Sequence, residues 1–316
     1  MQKNKLMRDA FIDEVYKAAL NDKDIIFISA DFGAAALDDF RKNLPEQFIH
    51  AGISEQNMVD VGVGLALTGK KVFLYAMAPF ITTRCYEQVK AVVSSMQLPI
   101  TLIAVGVGLG YDHATLTHFT TEDIAIMRAL NGIRILTPID AESSSYIASE
   151  CLKNPKFTYV RLERNSQNKI YGDQISKYFN DGYVRVKEGE GIVIISSGYM
   201  THKALEVRDK LLLKGVNVGI VDVFRVKPIN NEQLPVLLKK YRAIITLEEQ
   251  MLDGGFGSAI LELMTDAGGA VPIKRIGIKD GFEVVNGDRD YLNKLYHIDV
   301  ETVIEESLRM YANYCK

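Results

Sequence analysis

The chain has 316 residues, 47% hydrophobic and 24% charged, with 24 Gly against 8 Pro; that is room for two ordinary domains with cores of their own, and it excludes a disordered, collagen-like or disulfide-stapled molecule. Its 37 Lys plus Arg against 40 Asp plus Glu give a net charge of −3, so neither nucleic acid nor an anionic membrane is an expected partner. Cys85, Cys151 and Cys315 have no metal or disulfide spacing, and with no export signal or long apolar span in view a cytoplasmic protein is expected.

In chain order, IIFISAD at 25–31, KVFLYA at 71–76, PITLIAV at 99–105, IRILTP at 133–138 and FTYVRL at 157–162 are short β-rich apolar runs. Their continuous apolarity predicts strands buried on both faces. Between them, 7–20, 55–68, 84–97, 121–130 and 140–152 carry helical periodicity or dense small apolar residues. The first half therefore reads as a doubly wound parallel sheet over residues 1–165. From 166 to 190 the pattern turns polar and Gly-bearing, and a linker is expected there. A second, smaller α/β domain is expected over 191–316, starting with strand, helix and strand from GIVIISS onward and repeating with AIITLEEQ at 243–250 and GGFGSAILELMTD at 254–266.

Common signatures are missing. GVGLG at 106–110 follows a strand but is succeeded by Tyr111, Asp112 and His113 without helical periodicity, so it is no dinucleotide fingerprint. No phosphate-binding P-loop, HExxH or nucleophile elbow occurs. The most informative segment is GISEQNMVDVGVGLALTG at 52–69, where Ser54 is positioned to N-cap a helix that is apolar nearly all round. Such a helix is expected to be buried, carrying Glu55 into the interior. Taken alone, Glu55 reads more simply as an acid complementing the positive helix N-terminus.

GISEQN with its apolar helix, YAMAPFITTRCYEQVK at 75–90 and THFTTEDIAIMR at 117–128 together resemble the C-terminal half of transketolase. The likeness is closer still to the C-terminal subunit of a split, two-chain transketolase, and it covers essentially the whole chain. It implies a thiamine-diphosphate pyrimidine-binding fold at 1–165 followed by a transketolase C-terminal domain. It also implies that Glu55 hydrogen-bonds the aminopyrimidine nitrogen from a buried site that raises its pKa, that Phe80 stacks on the pyrimidine, and that Ile53, Asp31 and Arg84 also line the cofactor. By the same likeness His118 assists proton transfer at the substrate. Arg8 and Arg164 fall at the substrate-phosphate arginines, although surface ion pairing is the plain alternative for both.

Departures from the family pattern concern the sugar-reading part. Thr115 and Leu116 stand where Gly-Pro is usual, Ala35 where a Ser follows the position of Asp31, and Gly106 where a substrate-facing His is usual. Ala114 lies nearest the family's donor-hydroxyl Asp, with Asp112 or His113 as substitutes. No GDG segment is present, and Gly287 and Asp288 read as a turn, so no metal ligand is expected here. The resemblance then implies thiamine diphosphate and Mg²⁺ held jointly with an N-terminal partner subunit that carries GDG, in an α2β2 assembly acting on sugars or sugar phosphates. The competing readings are the β subunit of a 2-oxoacid dehydrogenase E1 component, deoxyxylulose-phosphate synthase, and a noncatalytic assembly module.

Overall fold

A computed structural model describes residues 4–281 and 285–315. Among the described residues twelve strands form two sheets: β1 (Ile25–Ala30), β2 (Phe48–Gly52), β3 (Lys71–Met77), β4 (Ile100–Val105), β5 (Arg134–Leu136), β6 (Thr158–Leu162), β7 (Val184–Lys187), β8 (Ile192–Ser196), β9 (Gly219–Asp222), β10 (Arg225–Lys227), β11 (Ala243–Met251) and β12 (Ile273–Ile278). The first sheet has seven strands in the order β10-β5-β6-β4-β3-β1-β2, and the second has five, β12-β11-β8-β9-β7. Within the first, β5, β6, β4, β3, β1 and β2 all run parallel, and only β10 is antiparallel, against β5.

Alternation along each strand explains the layering. Ile25 and Phe27 of β1 and Phe73 and Tyr75 of β3 face one apolar cluster with Phe11 and Ile147, from the helices Met7–Ala19 and Ala141–Lys153. The intervening Ile26, Ile28, Val72 and Leu74 face a second cluster with Met58, Val89 and Ile124. That second cluster continues into the other sheet through Val193, Ile195, Val221 and Ile244, while Ile192, Ile194 and Ile245 face a third with Leu211 and Val303. A side-chain period of two thus builds three apolar layers around two sheets, the α/β architecture expected.

Two expectations need correction. The stretch read as a linker over 166–190 holds a helical turn at Ile175–Tyr178 and β7, which pairs antiparallel with β9. Its polar, half-exposed edge strand lacks the apolar run that marks a central one. The helix Glu55–Leu67 is not buried all round: Met58, Val59, Gly62 and Ala66 are buried, whereas Gln56, Asn57, Asp60, Val61, Gly64 and Leu67 are exposed. Packing of Gly62 on Leu74 and Val72 covers one stripe, and at Gly64 on the exposed stripe a Cβ would meet nothing within 4 Å among the described residues. Among the described residues no helix is long and apolar enough to cross a membrane.

Candidate active site

Because the strands β1, β2, β3, β4 and β6 are parallel, the segments that leave their carboxyl ends share one edge of the sheet, where ligands of open α/β folds bind. Asp31 follows β1, Ile53 to Glu55 follow β2, Phe80 and Arg84 follow β3, the loop 106–118 follows β4, and Glu163 and Arg164 follow β6. Gly52 turns with φ +70°, and its carbonyl accepts the Asp31 N–H at 3.0 Å, which ties the first two segments together. Ser54 takes the expected N-cap position, yet its hydroxyl donates to Ala51 O at 2.5 Å instead of accepting from the helix.

Glu55 is only 5% exposed, and its Oε2 accepts from Arg84 Nη1 at 2.6 Å. A buried carboxylate requires such a partner. The Arg84 guanidinium also lies 4.0 Å from the centre of the Phe80 ring, within cation–π range. Phe80 meets the His118 ring edge-on at 5.3 Å, and His118 Nδ1 lies 2.9 Å from the Thr117 hydroxyl. On its far side His118 meets Tyr111 at 5.9 Å, and the Arg164 guanidinium sits 4.9 Å over the Tyr111 ring and 3.8 Å from Asp112 Oδ1. Arg8 lies over Phe32 at 5.9 Å, and Phe32 contacts Tyr111 at 6.3 Å. Glu55, Phe80, Arg84, His118, Asp112, Arg164 and Arg8 are therefore linked, through Tyr111 and Phe32, in one continuous row of neighbours.

Three of the sequence candidates stand off this row. Ile53 is 78% exposed at the strand-to-helix turn. Asp31 is exposed, with His50 Nε2 at 4.0 Å from its Oδ1. His113 has its Nδ1 3.4 Å from Asn286 Oδ1, a residue of the C-terminal half.

Tyr111 is the residue that sequence reasoning missed. A Cβ on Gly106 would stand 2.0 Å from its ring, and Gly106 itself turns with φ +79°, so the tyrosine fills space that only glycine leaves free. The hydroxyls of Tyr111 and Tyr75 are buried without partners, and burial pushes the Tyr111 phenol up while Arg164 and Arg8 oppose it. A Gly followed five residues later by Tyr in an aperiodic loop carries no signal that could have revealed this packing.

Comparison with known proteins settles the family. Residues 3–169 match the model of the transketolase pyrimidine binding domain, and 182–303 match that of the transketolase C-terminal domain. The chain belongs to the transketolase family. It is 31% identical over 302 residues to one of the subunits of the apulose-4-phosphate transketolase of Phocaeicola vulgatus, covering 95% of this chain and 96% of that one. It is 28% identical over 300 residues to the 6-deoxy-6-sulfo-D-fructose transketolase subunit SqwH of Clostridium sp. strain MSTE9, covering 94% and 92%. A split-gene transketolase described as an inactive beta4 tetramer superposes with a TM-score of 0.85 at 27% identity, covering 98% of this chain and 99% of that one. Both relatives are matched over nearly their whole length, so this transketolase-family chain corresponds to a subunit of the split type. Among the described residues no group of three His, Cys, Asp or Glu could hold a metal, and Asp288 serves as an N-cap, accepting from Tyr291 N–H at 2.8 Å.

Proposed function

We propose that this chain is the C-terminal subunit of a cytoplasmic two-chain transketolase that moves a two-carbon ketol unit from a ketose to an aldose, in an α2β2 complex with an N-terminal subunit carrying the GDG motif. The observation that carries the reading is the unbroken row from Glu55 to Arg164 along one sheet edge. The residues present fit the pyrimidine end of thiamine diphosphate: a buried carboxylate for a ring nitrogen and the aromatic face of Phe80 beside it. They offer nothing for the diphosphate and its Mg²⁺, which this reading assigns to the partner. When bound, the cofactor supplies the nucleophilic carbon that accepts the two-carbon fragment.

Glu55 then holds a proton between its carboxyl and the pyrimidine nitrogen, with Arg84 keeping the carboxyl in place. His118, oriented by the Thr117 hydroxyl, moves a proton at a substrate hydroxyl. Arg8 and Arg164 grip an anionic end of the sugar, for which a planar guanidinium pair is suited. The named substrates of the two relatives, a phosphate and a sulfo-sugar, both carry such an end. Of the two substitutes, Asp112, on the Arg164 side of the row, takes the sugar-hydroxyl role of the family residues that are missing here, and His113, beside Asn286 and off the row, does not.

Titration calorimetry separates this from a noncatalytic or self-sufficient chain. The chain alone is expected to bind thiamine diphosphate negligibly with Mg²⁺, and to bind it and form ketol-transfer products from a panel of aldoses once a GDG-bearing partner is added. Tight Mg²⁺-dependent binding by the isolated chain, or no product from the pair with any aldose, overturns the reading.

A further inference from the structure

The C-terminal domain reaches the row of site residues through a buried cluster of charged side chains centred on Arg289. Arg289 opens the helix Arg289–Leu295, and its guanidinium lies 3.5 Å from the centre of the Tyr199 ring. Its Nε and Nη2 donate to Glu249 Oε1 and Oε2 at 2.8 and 2.6 Å. Nη2 also stands 2.9 Å from Glu163 Oε2, an ion pair without an aligned hydrogen bond. All three charged groups are at least nine-tenths buried.

Each carboxylate holds a different part of the site. Glu163 Oε1 accepts the backbone N–H of Arg164 at 2.8 Å and of Asn165 at 3.3 Å. Glu249 Oε2 takes the Leu109 N–H at 3.4 Å, and it sits 2.5 Å from where a Cβ on Gly108 would stand. The Gly108–Thr120 bridge then closes the loop that carries Tyr111, Asp112 and His118, and Asn286, three residues before Arg289, approaches His113.

We infer that Arg289 is a positioning residue: by cross-linking Glu163 and Glu249 it fixes the separation between Arg164 and the loop 108–118, so that the C-terminal domain sets the geometry of the anion-gripping corner. This rests on the reading of Arg164 given above. A buried charge shared by two carboxylates has little freedom, because breaking either contact strands an ion in a medium that solvates it poorly. The planar fork of Arg reaches three carboxylate oxygens, whereas the single ammonium of Lys cannot.

The test uses the complex reconstituted with its partner subunit and compares Arg289→Met, Arg289→Lys and Glu249→Gln. In Arg289→Met, exchange of the Leu109, Arg164 and Asn165 amides is expected to accelerate by ~10-fold or more while β8 and β11 amides are unchanged. KM for a phosphorylated acceptor is expected to rise ~10-fold with kcat held within ~3-fold, unphosphorylated acceptors are unaffected, and Arg289→Lys recovers part of the loss. If Arg289→Met does not fold, Glu249→Gln carries the same expectation for the Leu109 amide and for KM. Acceleration spread equally over β8 and β11, or equal KM losses on both acceptor classes, overturns the inference. Arg164→Ala run in parallel separates the two readings: if it shows no phosphate-selective KM effect, the role given to Arg164 falls, and unchanged exchange at 164 and 165 in Arg289→Met is what sinks the clamp.

Discussion

Both sheets gather polar side chains at the carboxyl ends of their parallel strands, but the two edges treat them oppositely. At the five-stranded sheet the carboxylates are closed internally. Asp222 at the end of β9 accepts from the Tyr171 hydroxyl at 2.5 Å, the Thr201 hydroxyl at 2.6 Å and the Gly198 N–H at 2.9 Å, and Glu248 in β11 accepts the Phe256 and Gly257 N–H groups at 2.6 and 2.7 Å. At the seven-stranded sheet Arg84 and Arg164 keep 40% and 46% of their side chains exposed, and two phenol hydroxyls are left unmatched. One architecture thus yields a scaffold edge whose carboxylates are held within the chain, even though Thr246 Oγ1 and both amide atoms of Asn293 stay unpaired in that half, and a reading edge whose cations remain half open to another molecule.

The sharpest way to break this contrast is Glu55→Gln. Turnover of the assembled complex is expected to fall by ~10²–10⁴-fold because the amide cannot share the proton, while the melting temperature stays within a few degrees, Arg84 being partly solvated. Near-normal turnover means Glu55 is only a helix-start acid. Next comes Arg164→Ala, with a rise in KM of roughly 10–100-fold for phosphorylated substrates only, the loss of a charge-assisted hydrogen bond; steady-state kinetics with matched phosphorylated and free sugars reads it.

The scaffold edge is tested by Asp222→Asn, which should leave kinetics nearly untouched. Burial raises the Asp222 carboxyl from 3.8 to about 7. The folded state therefore holds this proton more tightly than the unfolded chain does. The resulting stability is complete below about pH 4 and is lost as pH rises through about 7. Asn removes that slope, so the wild type should lose up to about 4 kcal/mol relative to the variant between pH 4 and 8. Parallel denaturant titrations across that range check it, and identical slopes refute it.

The sequence made the scaffold legible where burial is two-sided. β1, β3, β4, β5 and β6 were expected within a few residues of their bounds because they read as short, continuous apolar runs. β2 escaped because FIHAG is half-exposed and carries His50, and β10 because three residues paired antiparallel leave no periodic trace. At the site, Glu55, Phe80, Arg84, His118 and Arg164 were named from motif likeness, and the structure sets them along one row. The parts that stayed hidden depend on how irregular or distant segments pack: Tyr111 folding back on Gly106 within an aperiodic loop, and Arg289 reaching Glu163 across more than a hundred residues of chain. Neither periodicity nor spacing encodes such contacts.

β10 belongs by sequence to the second half and by hydrogen bonding to the first sheet. It covers the outer side of β5, the Phe224 carbonyl receives the Thr137 N–H at 2.7 Å, and Lys227 Nζ donates to the Arg128 and Leu130 carbonyls at 2.6 and 2.5 Å. A fragment severed after residue 165 would bare the rim of β5 as a template for strand addition, an invitation to clump. The halves of this chain are therefore not interchangeable cassettes, and a chimera that grafts a foreign C-terminal domain onto residues 1–165 must carry Phe224–Lys227 or a substitute that seals the same rim.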